Sequence, residues 1–223
     1  MDVDFMIKYT PLYVEAAGRT LRIAFWGILF SLVAGLVCSL IQYFKIPILK
    51  PLTSIYIELS RNTPLLVQLF FLYFGLPKLG LVISSEGCAI VGLSFLGGSY
   101  MAEAFRSGLE SVEKGQVEAG LSIGMRRSQI IRYIVLPQAV SISVPAFCAN
   151  IIFLIKETSV FSVVVLADLM YVAKDLIGLY YKTDEALLML ALSYLVILLP
   201  ISIAASLLER RLRYAGFGHS DTF

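Results

Sequence analysis

EAGLSIGMRRSQIIRYIVLP, residues 118–137, carries three arginines, a glutamate and two glycines, yet it lies between segments apolar enough to live in lipid. Its pattern is that of two short amphipathic helices. On a first helix over 116–123, Val117 and Leu121 stand four apart and so share a face. Gly124 supplies the left-handed residue that ends a helix, and Arg126 and Arg127 just beyond it complement the negative end of the helix dipole. Ser128 is placed to N-cap a second helix with the stripe Ile130, Ile131, Ile134 and Val135, which Pro137 distorts or ends. Two uses fit these residues. One is a solvated, positively charged connector; the other is a docking element in which Gly120 and Gly124, four apart, clear one side for a partner's backbone. The residues alone leave both open.

What the loop interrupts is a membrane chain. Of 223 residues, 58% are hydrophobic and 15% charged, with a mean hydropathy of +0.83, far from the balance of a soluble domain. An apolar helix needs about 17 to 25 residues to cross the hydrocarbon. Runs of that kind occur at 21–44, 55–76, 87–104, 139–155 and 186–208, giving an all-α membrane protein of five transmembrane helices in a single domain over 1–223. The stretch 159–167 is too short to span and suits a re-entrant or interfacial segment. Lysines and arginines divide ten to six between the two sides, counting Lys45, Lys50, Arg106, Lys114, Arg126, Arg127, Arg132, Arg210, Arg211 and Arg213 on the richer one. That side is cytoplasmic by the positive-inside rule, so the N-terminus lies outside, the C-terminus inside and the loop 108–137 in the cytoplasm. Arg19 and Arg22 pull the other way. The opening residues are acidic and lack the plan of a cleaved signal peptide.

Other residue types exclude more than they assign. A net charge of +2 gives no reason to expect nucleic acid. Cys38, Cys88 and Cys148 are odd in number and embedded in apolar runs, which indicates neither disulfides nor a thiolate metal site. His219 has no companion ligand in the tail. A glycine-rich phosphate loop and the common hydrolase signatures are absent, so the chain is not expected to be an enzyme or to hydrolyse ATP itself. Pro64, Pro145 and Pro200 lie inside spans, where each breaks a helix hydrogen bond and kinks the chain.

Glu118, Ala119 and Gly120, then Gly124, then Ile134, Leu136 and Pro137 match the signature of membrane subunits of ATP-binding cassette (ABC) importers, with only Gly120 standing where alanine is usual. The stretches RNTPLLVQLFFLYFGLP (61–77), YMAEAFRSGLESVEKGQ (100–116), LPQAV (136–140) and IKETSV (155–160) resemble the polar amino acid uptake permeases of histidine, arginine, glutamine and cystine type. The resemblance covers about residues 15–215. It implies the MetI-like fold of a type I importer permease in a bacterial inner membrane, paired with a second copy or a homologous permease. It also implies an ABC ATPase dimer that uses ATP and Mg and grips the helix around Glu118 as a coupling helix, and an extracytoplasmic solute-binding protein that delivers the amino acid. No cofactor is expected on this chain.

Charged groups in or beside spans are costly, about 2.5 to 3.5 kcal/mol each at a helix centre, and are usually paired or facing water. Glu58 and Arg61, and Glu103 and Arg106, stand i, i+3 and are expected to neutralise locally. Lys156 and Glu157 are adjacent and point about 100° apart on a helix, so they need other partners. With Asn150, Thr158 and Ser159 they offer an ammonium, a carboxylate and hydroxyls, the inventory an amino acid zwitterion requires. The other reading is an interfacial pair with Lys156 snorkelling. In the resembling family this region lines the translocation path. Two competing functions stay in view: an ion-gradient-driven secondary amino acid transporter, which the absence of an evident internal repeat disfavours, and a non-transporting membrane scaffold.

Overall fold

The computed structural model describes residues 1–212. Arg213 and His219, named above, lie outside the described residues. The chain is helical, with α1 (Val3–Tyr43), α2 (Leu49–Arg61), α3 (Leu65–Phe70), α4 (Ser85–Glu110), α5 (Lys114–Ser122), α6 (Arg127–Ile130), α7 (Leu136–Glu157), α8 (Leu169–Tyr180) and α9 (Thr183–Leu212).

The first helix is longer than its apolar run. Its 41 residues make a rod of about 61 Å, twice the hydrocarbon thickness, where the sequence placed the start near residue 21. Asp2 explains the difference, since its carboxylate caps the helix by accepting from the Phe5 N–H at 3.0 Å. The same end is tied to α9 by the Asp2 N–H donating to Glu185 at 2.8 Å, by Lys182 at 3.1 Å from Asp2, and by the Tyr13 hydroxyl on the Ala186 carbonyl.

Further along, α1 lies against α4 through a stripe of small residues at four-residue spacing: Gly27, Ser31, Gly35 and Ser39. The approach is close enough that a Cβ at Gly35 would stand 2.8 Å from the Ala102 backbone N, so glycine is required there. The Ser31 hydroxyl stays satisfied by its own Gly27 carbonyl at 2.7 Å. Behind α4, α7 packs with Ser143 donating to the Ala104 carbonyl at 2.9 Å.

The second expected span is not one helix. It divides into α2 and α3 at Asn62 to Pro64, with Pro64 extended at ψ 141° and serving as the N-cap of α3. Pro64 was expected to kink the helix; instead the helix stops and restarts. The freed carbonyls explain why the break survives inside a bundle: the buried Gln68 amide donates to Ser60 at 3.1 Å and to Thr63 at 3.0 Å, and Pro64 accepts from Val67 and Gln68. Among the described residues, four helical stretches are individually long and apolar enough to cross a membrane: Val3–Tyr43, Ser85–Glu110, Arg127–Val164 and Thr183–Arg211.

Among the described residues two wide π-helical turns occur, Phe71–Gly75 and Ile131–Val135, and each stands immediately before a Leu–Pro pair, Leu76–Pro77 and Leu136–Pro137. The cause is common to both. Proline has no N–H and its ring presses on the carbonyl four residues back. The extra residue of a π turn moves that carbonyl aside, and the Leu76 and Leu136 N–H groups reach Phe71 and Ile131, five residues back. Pro137 therefore does not end the second loop helix. It lets α6 run on into α7 as one rod.

After α7 a tight 3-10 segment, Thr158–Val164, buries Phe161 and Val164 against Leu65 and Leu69 of α3. Asp168 then caps α8, accepting from the Tyr171 N–H at 2.9 Å, and has no solvent exposure. Its second oxygen has no hydrogen-bond partner among the described residues. Burial pushes the carboxyl up from 3.8 to about 6.

Candidate coupling site and charge clusters

The signature residues build a small helix held off one end of the bundle. α5 spans Lys114–Ser122, and it ends as Gly124 requires: that residue sits at φ +81°, with the Gly124 N–H on Leu121 and the Met125 N–H on Gly120, each at 3.0 Å. This pair of bonds is a Schellman cap. The next helix is not capped by Ser128. Arg126 occupies the N-cap position and its N–H donates to the Gln129 side chain at 2.8 Å. Ser128 lies one residue inside, because the Schellman cap consumes only Gly124 and Met125 before the chain turns helical again.

Gly120 faces the chain itself. It is buried, and a Cβ there would lie 3.0 Å from the Ile134 methyl and 3.1 Å from Ile130. The expectation that Gly120 and Gly124 clear a side for another protein is thus corrected: one glycine seats α5 on α6 and the wide turn, and the other forms the cap. Val117 joins the same small core, with Leu109, Ile130, Val135, Ala139 and Tyr43. Leu121 does not share that face. It is 48% exposed and Ile123 is 79% exposed, so both point away from the bundle alongside the exposed Glu118 and Ala119. Sequence spacing missed Leu121 and Ile123 as outward residues, since an i, i+4 apolar pair is ordinarily an inward face. Leu136 and Pro137 are exposed as well, while Gln138 reaches back to Gln116 and fixes α5 against α7.

The charged residues pair differently from their spacing. Glu103 and Arg106 do meet, with the guanidinium donating to the carboxylate at 2.8 Å, and Arg106 also reaches Glu110 at 2.9 Å. Glu58 and Arg61 do not. Arg61 lies 3.6 Å from Glu103 on α4 and its guanidinium sits 5.4 Å from the centre of the Tyr100 ring, while Glu58 accepts from Asn62 at 3.1 Å. The helix ends at Arg61, so its side chain is free to cross to the neighbouring helix, where the Glu103 carboxylate is shared between two arginines.

The five residues proposed for a solute do not converge. Asn150 turns to α4 and donates to the Tyr100 carbonyl at 3.2 Å. Thr158 is buried, donating to Ile155 at 2.7 Å, with its oxygen 3.3 Å from the Tyr194 hydroxyl. Lys156 is exposed and lines a groove of about 390 Å3 between α7 and α9 together with Tyr194 and Ser202. Glu157 and Ser159 are half-buried. Lys156 and Glu157, the two charged residues of the five, form no ion pair among the described residues.

An apolar bundle with a broken second span, carrying at one end a short capped helix whose outer face is uncommitted, defines a membrane permease subunit of the ABC importer type. The chain belongs to the family of binding-protein-dependent transport system inner membrane components, whose model matches residues 23–214. It is 36% identical over 196 residues to PatM of Vibrio harveyi, a probable amino-acid ABC transporter permease protein, covering 86% of this chain and 88% of that one. It is 35% identical over 205 residues to GlnP of Escherichia coli (strain K12), a glutamine transport system permease protein, covering 91% and 94%. A crystal structure of an amino acid ABC transporter with histidines superposes with a TM-score of 0.89 at 35% identity, covering 95% of this chain and 99% of that chain.

Proposed function

We propose that this chain moves a polar amino acid into the cytoplasm as one permease of an ATP-driven importer. It pairs with a second copy or a homologous permease, receives the amino acid from an extracytoplasmic solute-binding protein, and is driven by an ABC ATPase dimer that consumes ATP with Mg. The observation that supports this reading best is the state of α5: Gly120 and Val117 fasten it inward, and Glu118, Ala119, Leu121 and Ile123 are left facing out. A capped helix with one seated face can carry a rigid displacement from a partner into the bundle. α6 runs through the wide turn into α7 as one rod, so a displacement there has a stiff path toward Lys156 and Glu157, which in this reading border the solute's route.

The sidedness follows from the same assignment, with α5 cytoplasmic, the N-terminus outside and the C-terminus inside. Vesicles containing this chain, its ATPase and its binding protein should take up one or a few radiolabelled polar amino acids only with ATP. Uptake driven by a proton or sodium gradient without ATP would refute the ATPase-coupled reading, and absence of uptake for every amino acid would refute transport.

A further inference from the structure

A second cluster of charge, apart from Lys156 and Glu157, surrounds a cleft of about 310 Å3 where the ends of α1 and α4 meet the start of α2. Lys45, Lys50, Glu58, Glu103, Arg106 and Glu110 line it. Its charge is balanced, with three cations facing three anions. By contrast, the cleft of about 410 Å3 beside the α2–α3 break, lined by Leu59, Val67, Val91 and Phe95, is walled almost wholly by carbon. We propose that the charged cleft is an amino-acid site in its own right, one that takes a zwitterion at the end of the bundle carrying α5; this rests on the transport function proposed above.

The charges left unpaired in the cleft select a zwitterion. Glu103 and Arg106 neutralise each other at 2.8 Å, and Glu110 holds Arg106 at 2.9 Å. Lys45 and Lys50 pair with no carboxylate among the described residues, and Glu58 gives one oxygen only to the Asn62 amide at 3.1 Å. The uncommitted groups are thus two ammoniums and a carboxylate, which match an α-carboxylate and an α-ammonium. A phosphate would leave the free Glu58 carboxylate facing a like charge, and a simple cation would meet the two free ammoniums, whereas a zwitterion satisfies both signs. A space of about 310 Å3 is at the small end of ligand pockets and suits one amino acid.

The site adjoins the coupling element. Glu110 ends α4 and Lys114 begins α5, while Gln42 lines the cleft next to Tyr43, which packs into the small core with Val117. A bound zwitterion bridges Lys45 and Lys50 to Glu58. Through Lys45 it ties the loop after α1 to α2, which carries Lys50 and Glu58, and resists the relative movement of α1 and α2. Amino acid accumulated on this side slows the cycle.

The test uses the complete permease–ATPase complex in nanodiscs without the binding protein, titrated in turn with tritiated glutamine, histidine and arginine. Lys45, Lys50 and Glu58 are exposed, so their variants disturb no core. Saturable binding of at least one amino acid is expected. It weakens about tenfold in Glu58→Gln and by that or more in the Lys45→Ala/Lys50→Ala double variant, survives in Lys50→Arg, and persists in Lys156→Ala. In vesicles, amino acid preloaded on the α5 side slows uptake by the wild type and not by the double variant.

Equal binding in the double variant, or binding lost only in Lys156→Ala, overturns the proposal. So does a complex that performs ATP-dependent uptake yet binds nothing in the nanodisc assay. Failure of ATP-dependent uptake itself is the separate result that removes the transport reading.

Discussion

Arg61, the last residue of α2, lies 3.6 Å from Glu103 of α4 and so joins the first half of the broken span to the helix beside it. The Arg61 side chain is 43% exposed, so the pair is expected to add less than about 1 kcal/mol to stability. Arg61→Gln, which spares the Glu103–Arg106 pair, is expected to leave the melting temperature of the assembled complex nearly unchanged and to lower uptake severalfold, the outcome for a link that serves transport rather than stability. A large loss of melting temperature with uptake per folded complex preserved would make the pair purely structural.

The break itself depends on Gln68. Its amide serves the Ser60 and Thr63 carbonyls at 3.1 and 3.0 Å in a buried setting. Gln68→Leu keeps the volume and leaves two carbonyls short of a donor, a loss of about 1 to 3 kcal/mol. Thermal melts should show it directly, and an unaltered melt would mean that other groups hold the break.

The two loop glycines should respond in opposite directions to alanine. At Gly124, φ +81° makes alanine strained by about 1 kcal/mol or more, and association with the ATPase weakens. At Gly120, the new Cβ would stand 3.0 Å from the end of the Ile134 side chain and 3.1 Å from the Ile130 γ-carbon, a tight fit that a small shift of these side chains relieves, while the helix gains about 1 kcal/mol of propensity. Gly120→Ala therefore keeps ATPase co-purification, and Gly120→Leu, which unseats α5, loses it. Retention by Gly120→Leu would contradict the seating of α5 on α6.

Asp168 gives a pH dependence with a definite sign. Its carboxyl is raised from 3.8 to about 6, so between those values the unfolded chain has lost the proton while the folded chain still holds it. Stability from this group is full below about pH 4, falls as pH rises to about 6, and is level above that, a change of about 3 kcal/mol or less. Asp168→Asn keeps a capping oxygen and removes the titration. The melting temperature of the wild type, taken relative to this variant, should drop from pH 4 to pH 7, and parallel profiles would disprove the shift.

For the solute path, Lys156→Ala and Glu157→Ala are expected to cut uptake while ATPase assembly stays intact. Normal uptake in both variants would remove these residues from the route.

Where the sequence was informative, a local rule decided the structure. Gly124 ends α5 because a helix that turns back within two residues needs a left-handed position, and this is visible in the spacing alone. The inward seating of Gly120 was not visible, since it depends on Ile134 arriving through a wide turn that no periodicity rule anticipates. Pro64 announced a disturbance. Whether it would bend or break the helix depended on Gln68 being near enough to collect the freed carbonyls. Arg61 was assigned to Glu58 because spacing knows only its own helix, and its partner Glu103 is supplied by tertiary packing. Likewise the stripe Gly27, Ser31, Gly35, Ser39 passes as ordinary apolar sequence until α4 is seen against it.

Each wide turn holds one residue more than an α-helical pitch requires, and both precede a Leu–Pro step. A single surplus residue changes angular phase by about 100° without adding a full turn of length. Excising one residue from within Ile131–Val135 would therefore leave the membrane part of α7 intact while swinging Glu118 and Leu121 around its axis toward a different quadrant. The orientation in which the chain greets its engine is written into the backbone as a counting error that proline keeps from being corrected.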